Sequence, residues 1–520
     1  SHWCSVLRRA PPLQSSPGVA PPCDQIAMAV VEPPPEQPCS SAEEQASGVL
    51  ELVWGRVSRS PAATALLWHS GPSGGAPGVR GAAEGQTWSY RAVWAAGCHG
   101  AAALRAALRQ HRQSADASTD VAGLRIGVMI SGGAALPLIE LAVLLLGCVV
   151  VPLDPEDPPA RLRLLLEDAE LAAAVVAEAG AAVALLREAD GALLALEAPS
   201  LLPKGPAEAE ASAPPAEPPA FPPGASVSHV FFTSGSTGRP KGCVCTHSNL
   251  RTYCLAKNAL HAVSEESVVF VASAHTFDPS IGDFFATWAA GACVALAPRD
   301  AIASALGACL RIAGATHILT TPALFSSLEA TDVAPSDLPK LAVVSLGGEL
   351  TPQRIVDAWA CGGRRLLNVY GVTECTVYQA FAELAAGASP RQITGPFPEG
   401  TQLLLAAGNG SDPSAQVQEG SGANGELWIL GPQVGLGYAR RPELTAERFR
   451  EVPSPDGSIH RGFRTGDIAS AEKGGRWTLL GRRDGMVKLR GRRVELGEIE
   501  EALLAAAPDL LRAVAAVIAP

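Results

Sequence analysis

Between Leu124 and Tyr370 the chain alternates short apolar runs with longer helical patterns, and this alternation limits the possible folds more than any other feature. Residues 124–130 read as a strand, 134–146 as a helix, 148–153 as a strand and 159–171 as a helix. Further on, 268–272, 293–297, 316–320, 341–346 and 366–370 are strand-like, with helical patterns at 281–290, 303–312 and 352–359. A strand reaches a parallel neighbour only through a long crossover, usually a helix, so such a series predicts βαβ units. The expected fold is α/β, with a large domain of βα-built sheets and ligands at the strand ends. Beyond Gly395 the Gly, Pro and charged content rises, which predicts a shorter, antiparallel β-rich portion. No internal repeat is visible.

The flanking segments set domain bounds. Residues 1–42 are rich in Pro and Ser, with Pro33-Pro34-Pro35 at the extreme, and read as a disordered N-terminus. A helix is expected at 43–57, then a Gly-rich break at 71–85. Trp88-Ser89-Tyr90 leads into an alanine-rich helix ending near Gln110. The large domain spans 43–483 and carries a Pro/Ala/Glu-rich low-complexity insertion at 197–224. Residues 484–520 read as the start of a small, truncated α+β domain, with one helix at 498–504 and one strand at 513–518.

Composition excludes some functions. A net charge of −11 opposes a role in coating nucleic acid, which needs basic surface to neutralise phosphates. The most apolar run, 141–153, is too short for a bilayer and is broken by Gly147 and Pro152. The twelve cysteines form no C-x-x-C pair, a pattern of reducing compartments, so a cytoplasmic protein with no membrane partner is expected.

The run Thr233-Ser234-Gly235-Ser236-Thr237-Gly238-Arg239-Pro240-Lys241-Gly242 follows an apolar strand end at Val230-Phe231-Phe232. Glycines allow a close backbone approach, hydroxyls donate to anionic oxygens, and the lysine adds positive charge. It is not a P-loop, because Pro240 and Gly242 stand where G-x-x-x-x-G-K-[ST] needs Gly and a hydroxyl residue. The plainer reading is a Gly/Ser-rich surface turn. Other segments carry chemistry in ordered positions. Phe277-Asp278-Pro279-Ser280 sets a carboxylate beside an aromatic ring just past a strand. Residues 368–374 end a strand with Tyr370, Gly371 and Glu374, and Arg464-Thr465-Gly466-Asp467 places an acid in a tight turn. Residues 481–500 combine Arg482, Asp484, Lys488 and Glu498. Taken singly, each is as well explained by a turn, a cap or a solvated charged face.

Taken together and in order, these segments resemble the adenylate-forming (AMP-binding) superfamily. Within it they resemble the amino-acid adenylation domains of nonribosomal peptide synthetases, near the β-alanine-activating subgroup. The resemblance runs from about Trp88 to Ile518 and includes Gly425-Glu426-Leu427-Trp428-Ile429, Gly437-Tyr438 and Arg441-Pro442-Glu443-Leu444-Thr445. It implies an adenylate-forming ligase. The substrate carboxylate attacks the α-phosphate of Mg-ATP, pyrophosphate leaves, and the acyl group passes to a phosphopantetheine thiol or to coenzyme A. Charge neutralisation and alignment are what such a displacement needs from the protein.

By the same resemblance, Thr233 to Gly238 hold the β- and γ-phosphates with Lys241 as counter-charge. Glu374 takes Mg²⁺, Tyr370 stacks on adenine, and Asn368, Gly371, Thr373 and Gly347-Gly348-Glu349 border the nucleotide. Asp467 takes the ribose hydroxyls with Arg482 nearby, and Asp484 is the hinge of the small domain. Asp278 pairs with a substrate ammonium, which favours an amino acid over a simple acid. The specificity positions carried over are Pro279, Gly282, Leu319, Val344, Leu346, Val369, Val377 and Tyr378. This is an apolar lining with one phenol, suited to a neutral amino acid, β-alanine included. A carrier domain, downstream or in trans, is the expected partner.

The sequence departs from the family after Asp484, where no counterpart of the family's C-terminal Asn-Gly-Lys lysine is found; Lys488 belongs to another motif. An acyl-CoA synthetase using free coenzyme A, or a weakly active ATP-binding remnant, stay open as alternatives.

Overall fold

The computed structural model describes residues 47–72, 85–113, 120–178, 183, 186, 193–211, 220–234, 239–396, 400–408, 410, 412–414, 416–417, 422–453, 458–472, 476–483, 486–489, 492–495, 499 and 503. The disorder expected at 1–42, the strand at 513–518 and Asp484 lie outside these residues.

The chain opens with α1 (Val49–Arg59), β1 (Thr64–His69), β2 (Gly85–Ser89) and α2 (Tyr90–Gln113). The βα series follows as β3 (Arg125–Met129), α3 (Ala135–Leu145), β4 (Val149–Pro152), α4 (Pro159–Ala169), β5 (Leu171–Val176) and β6 (Leu194–Glu197). Two short helices, α5 (Ala198–Leu201) and α6 (Pro206–Ala211), precede β7 (Val227–Thr233), β8 (Lys241–Thr246) and α7 (His247–His261). The series resumes with β9 (Val268–Val271), α8 (Pro279–Ala290), β10 (Cys293–Leu296), α9 (Arg299–Ala313), β11 (His317–Thr320), β12 (Val343–Gly347), α10 (Gln353–Trp359) and β13 (Arg365–Tyr370). The remainder is mostly strand: β14 (Ala380–Glu383), β15 (Gln392–Pro396), β16 (Gln402–Ala406), β17 (Asn424–Leu430), β18 (Gly437–Tyr438), α11 (Pro442–Arg448), β19 (Phe449–Pro453), β20 (Ile459–Ala471) and β21 (Arg476–Arg482). A hairpin, β22 (Met486–Leu489) and β23 (Arg492–Glu495), ends it.

Two sheets organise the described residues. The smaller runs β18-β8-β7-β4-β3-β5-β6 and is parallel from β7 to β6. The larger contains a parallel block β13-β12-β11-β9-β10-β1, flanked by antiparallel strands on both sides. Successive residues on these strands alternate between two cores. Val150 packs toward the helices between the sheets while Val149 and Val151 pack with Leu162 and Leu165 of α4. On β9, Phe270 joins the outer cluster with Leu306 and Leu310 of α9, and Val271 joins the inner one. Period-two alternation with both faces covered is how a parallel sheet buries itself.

Helix α3 lies in the layer between the sheets, touching β3, β4 and α8, and α8 in turn touches β9 and β10. Every residue from Leu136 to Leu145 is buried. A helix apolar all round is expected to be enclosed, but α3 also carries Glu140, whose two carboxyl oxygens have no hydrogen-bond partner among the described residues. Burial pushes this carboxyl up to about 8 from 4.5. The fold therefore holds the proton that the unfolded chain releases above 4.5, and stability falls as pH rises from there through about 8. Glu140→Leu removes that slope. In denaturant titrations its advantage over wild type is expected to grow by about 3 kcal/mol between about pH 4.5 and pH 7.

Three segments depart from the sequence reading. The stretch 171–176, alanine-rich and merged at its start into the preceding helix, is strand β5; Glu170 in the left-handed region (φ 51°) ends the helix first. Within the low-complexity insertion at 197–224, α5 and α6 pack on α2 and bury Leu201 and Ala209. Arg464 to Asp467 is no tight turn. It lies inside the thirteen-residue strand β20, where a register shift against β17 and Gly466 at φ 82° mark a bulge. No helix among the described residues is long and apolar enough to cross a membrane.

Candidate active site

Strands β7 and β8 pair antiparallel with Thr233 opposite Lys241, so the two ends of the Ser/Thr/Gly run lie side by side on neighbouring strands. This differs from a P-loop, which feeds a helix. Gly235, Ser236, Thr237 and Gly238 fall outside the described residues. Thr233 and Ser234 line a cavity of about 1120 Å³, and Ser234 Oγ is buried there with no hydrogen-bond partner in the described structure. A buried hydroxyl without a partner is costly unless a ligand oxygen supplies one.

Lys241, at the start of β8, sets its ammonium 5.6 Å from the centre of the Tyr438 ring. The Tyr438 hydroxyl donates to Glu374 Oε1 at 2.9 Å. The phenol thus joins the loop's cation to the buried acid on the turn Thr373–Cys375. Tyr438 was visible in the sequence only as part of the Gly-Tyr pair, and pairing of β18 with β8 brings it here.

The end of β13 meets β20. The Tyr370 hydroxyl donates to Asp467 Oδ2, and Arg482 Nη1 donates to Asp467 Oδ1 at 2.9 Å. Burial first, then Asp467, holds the Tyr370 phenol well above its ordinary value, so it stays a donor. Asn368, two residues earlier, spends its amide hydrogens on the Pro390 and Gln392 carbonyls at 2.9 and 3.0 Å, a tie between β13 and the β15 side. Glu349 Oε1 accepts from the Ala323 amide at 2.8 Å, just past Gly348 in the left-handed region.

Asp278 heads α8, is 2 % exposed, and makes no capping bond to that helix. Its Oδ2 instead accepts the Val377 amide at 3.1 Å, and the residue lines the cavity. Thr376 and Val377 hold φ of 65° and 68°, a conformation strained for β-branched residues that aims this amide at the acid. Gly371 makes room for that turn: a methyl there would stand 2.4 Å from the Val377 carbonyl oxygen.

A sequence profile of the family described as AMP-binding enzyme matches residues 54–439. The chain belongs to this family. Among curated relatives of this AMP-binding enzyme, delta-poly-L-ornithine synthetase of Acinetobacter baumannii is 31% identical over 384 residues, covering 73% of this chain and 27% of the relative. Novobiocin biosynthesis protein H of Streptomyces niveus is 33% identical over 405 residues, 76% of this chain and 63% of that protein. The chain therefore spans less than two thirds of either. An artificially fused adenylation–PCP didomain of a nonribosomal peptide synthetase from Klebsiella oxytoca shares the fold, with a TM-score of 0.69 and 22% identity over 88% of this chain and 84% of that one. The chain is an adenylate-forming domain similar to those of nonribosomal peptide synthetases.

The specificity positions fall on two sides of the AMP-binding domain's larger sheet. Leu319, Val369, Val377 and Tyr378 join the inner core, and Pro279 and Gly282 lie on α8 beside it. Val344 and Leu346 instead pack in the outer cluster with Phe325 and Trp359. The pleat of β12 turns the intervening residues inward: Ser345 Oγ lies 3.2 Å from His261 Nε2, and a methyl on Gly347 would stand 2.6 Å from Val369 Cγ2. Ser345 and Gly347 are the β12 residues that face the inner core, on the side of Val369 and Tyr378. Alternation along β12 itself, counted from the inward Val343, was the signal that could have found them. From the helix expected at 498–504, Ile499 and Leu503 are described, are helical, and line the cavity.

Proposed function

We propose that this domain activates the carboxylate of a short, neutral amino acid, α or β, as its adenylate and passes the acyl group to a phosphopantetheine thiol. The observation that carries the reading is Asp278, a buried carboxylate at the head of α8 that faces the cavity and is aimed by the Val377 amide. An ammonium beside a desolvated carboxylate gains far more than it does in water.

Thr233 to Gly238 would hold the β- and γ-phosphates, and the Ser234 hydroxyl, without a partner among the described residues, fits an anionic oxygen. Lys241, tethered on Tyr438, would offset phosphate charge as pyrophosphate departs. Glu374, steadied by the Tyr438 hydroxyl, is a single carboxylate of the kind Mg²⁺ accepts alongside phosphate oxygens. When bound, Mg²⁺ would neutralise charge on the transferring phosphate. Tyr370 would offer its face to adenine, and Asp467, braced by Arg482, would accept from the ribose hydroxyls. Asp484 would serve as the hinge.

Mass spectrometry of the thiol acceptor tests the reading. With ATP, Mg²⁺ and a set of amino acids, a phosphopantetheinylated carrier protein should gain an aminoacyl mass, with little aminoacyl-coenzyme A formed from the free cofactor. Loading of coenzyme A alone would replace the carrier by the free thiol. Loading of neither acceptor by any amino acid would remove the proposal.

A further inference from the structure

Which residue sets the depth of the amino-acid pocket follows from five close approaches. Asp278 is fixed to the Val377 amide. One turn along α8, Gly282 presents a bare backbone to the same place. A methyl group on Gly282 would stand 2.6 Å from Tyr253 Cε1 and 3.2 Å from Val377 Cγ2. Across the site, a methyl on Gly347 would stand 2.6 Å from Val369 and 2.8 Å from Tyr378 Cε1. Asp278, Val377, Gly282 and Tyr253 therefore form one contiguous packed group beside the cavity that Asp278 lines, and Tyr378, next to Val377 in the chain, ties it to Gly347 and Val369.

Tyr253 comes from α7, a helix that none of the sequence motifs touches, and it is 1 % exposed. Its ring occupies the space that a side chain at 282 would fill. We propose that Tyr253 is the floor of the substrate pocket and the residue that restricts it to short amino acids, glycine, alanine and β-alanine among them. The proposal deepens the amino-acid reading above and rests on it. The fully buried pair of Lys257 and Asp283 lies one turn further along α7 from Tyr253 and next to Gly282 on α8. Burial holds the Tyr253 phenol well above its ordinary value, with Asp283, Tyr378, Cys254 and Asp278 as lesser causes, so the floor carries no charge at neutral pH. A neutral, rigid floor close to the ammonium site excludes long side chains by volume.

The test is ATP–pyrophosphate exchange by the whole chain along two length series, one of amino acids from glycine to norleucine, the other of unsubstituted acids from acetate to hexanoate. Wild type should favour the short members. Tyr253→Ala, and the milder Tyr253→Val should the first fold poorly, should shift the ratio of kcat/KM for norleucine over alanine upward by about tenfold or more, the scale of a few methylenes admitted to an apolar pocket. Tyr253→Phe, which keeps the ring, should keep the length cut-off. A buried tyrosine with only a packing role would lower all substrates alike, and that result overturns the proposal, as does a wild-type preference for long chains. Exchange with the acids in place of the amino acids would instead remove the amino-acid reading; the length series of acids then decides the role of Tyr253 by the same shift in ratio.

Discussion

Asp278→Ala should cut amino-acid-dependent pyrophosphate exchange by roughly a hundredfold or more, carried mainly by KM for the amino acid and only slightly by KM for ATP. The scale follows from removing one partner of a shielded charge pair, which costs about 2–5 kcal/mol when the other charge is left without compensation. Asp278 is buried and bonded to a strained backbone amide, so its loss also frees the turn at Thr376 and Val377. Asp278→Asn separates the two effects. The amide keeps an acceptor for Val377 but no charge for an ammonium, so it should lose nearly as much activity while holding its unfolding midpoint. A variant that exchanges as well as wild type would show that the acid is architectural.

The second large effect is on stability. Lys257 and Asp283 form an ion pair in which both side chains are at most 2 % exposed. Asp283 Oδ2 has no hydrogen-bond partner in the described structure. Burial drives the Asp283 carboxyl upward, and Lys257 is what pulls it back. Lys257→Met should therefore cost about 3–5 kcal/mol in denaturant unfolding, the penalty for leaving a buried carboxylate without its counter-charge. The double change Lys257→Met with Asp283→Leu should recover most of that loss, because apolar groups of similar volume often replace a buried pair at little cost. A double variant as weak as the single one would mean that the pair contributes net attraction, not merely mutual compensation.

The βα series was legible because each strand is short, apolar and bounded by Gly, Pro or a helix cap, and the two βα blocks fall close to where the patterns place them. What was not legible has physical causes. In Leu171 to Val176 four of six residues are alanine, leucine or similarly permissive, so the run carried no strand signature, and pairing with β3 decides it. Strand β1 owes its place to pairing with β10, more than two hundred residues away. At Arg464 to Asp467 the Gly-Asp pair signals a positive φ, and it does mark one, but a bulge uses that signal as readily as a turn does.

The site divides in the same way. Asp278, Glu374, Tyr370, Asp467 and Lys241 were picked out by motif, and the structure brings the last four into two linked groups through Tyr438 and Arg482. Which residues of β12 face inward needed the register, since a shift of one residue exchanges the outward Val344 and Leu346 for the inward Ser345 and Gly347. Tyr253 carried no local signal. It belongs to the pocket only because Gly282, on a different helix, leaves space for its ring.

The most direct test of the central claim is pyrophosphate exchange by the unmodified chain with matched pairs that differ only in the amine: glycine against acetate, and alanine and β-alanine against propionate. The expected result is exchange with at least one of the amino acids and little or none with its deaminated partner. Equal exchange for both members of each pair would contradict the role given to Asp278, and with it the assignment of an amino acid as the substrate.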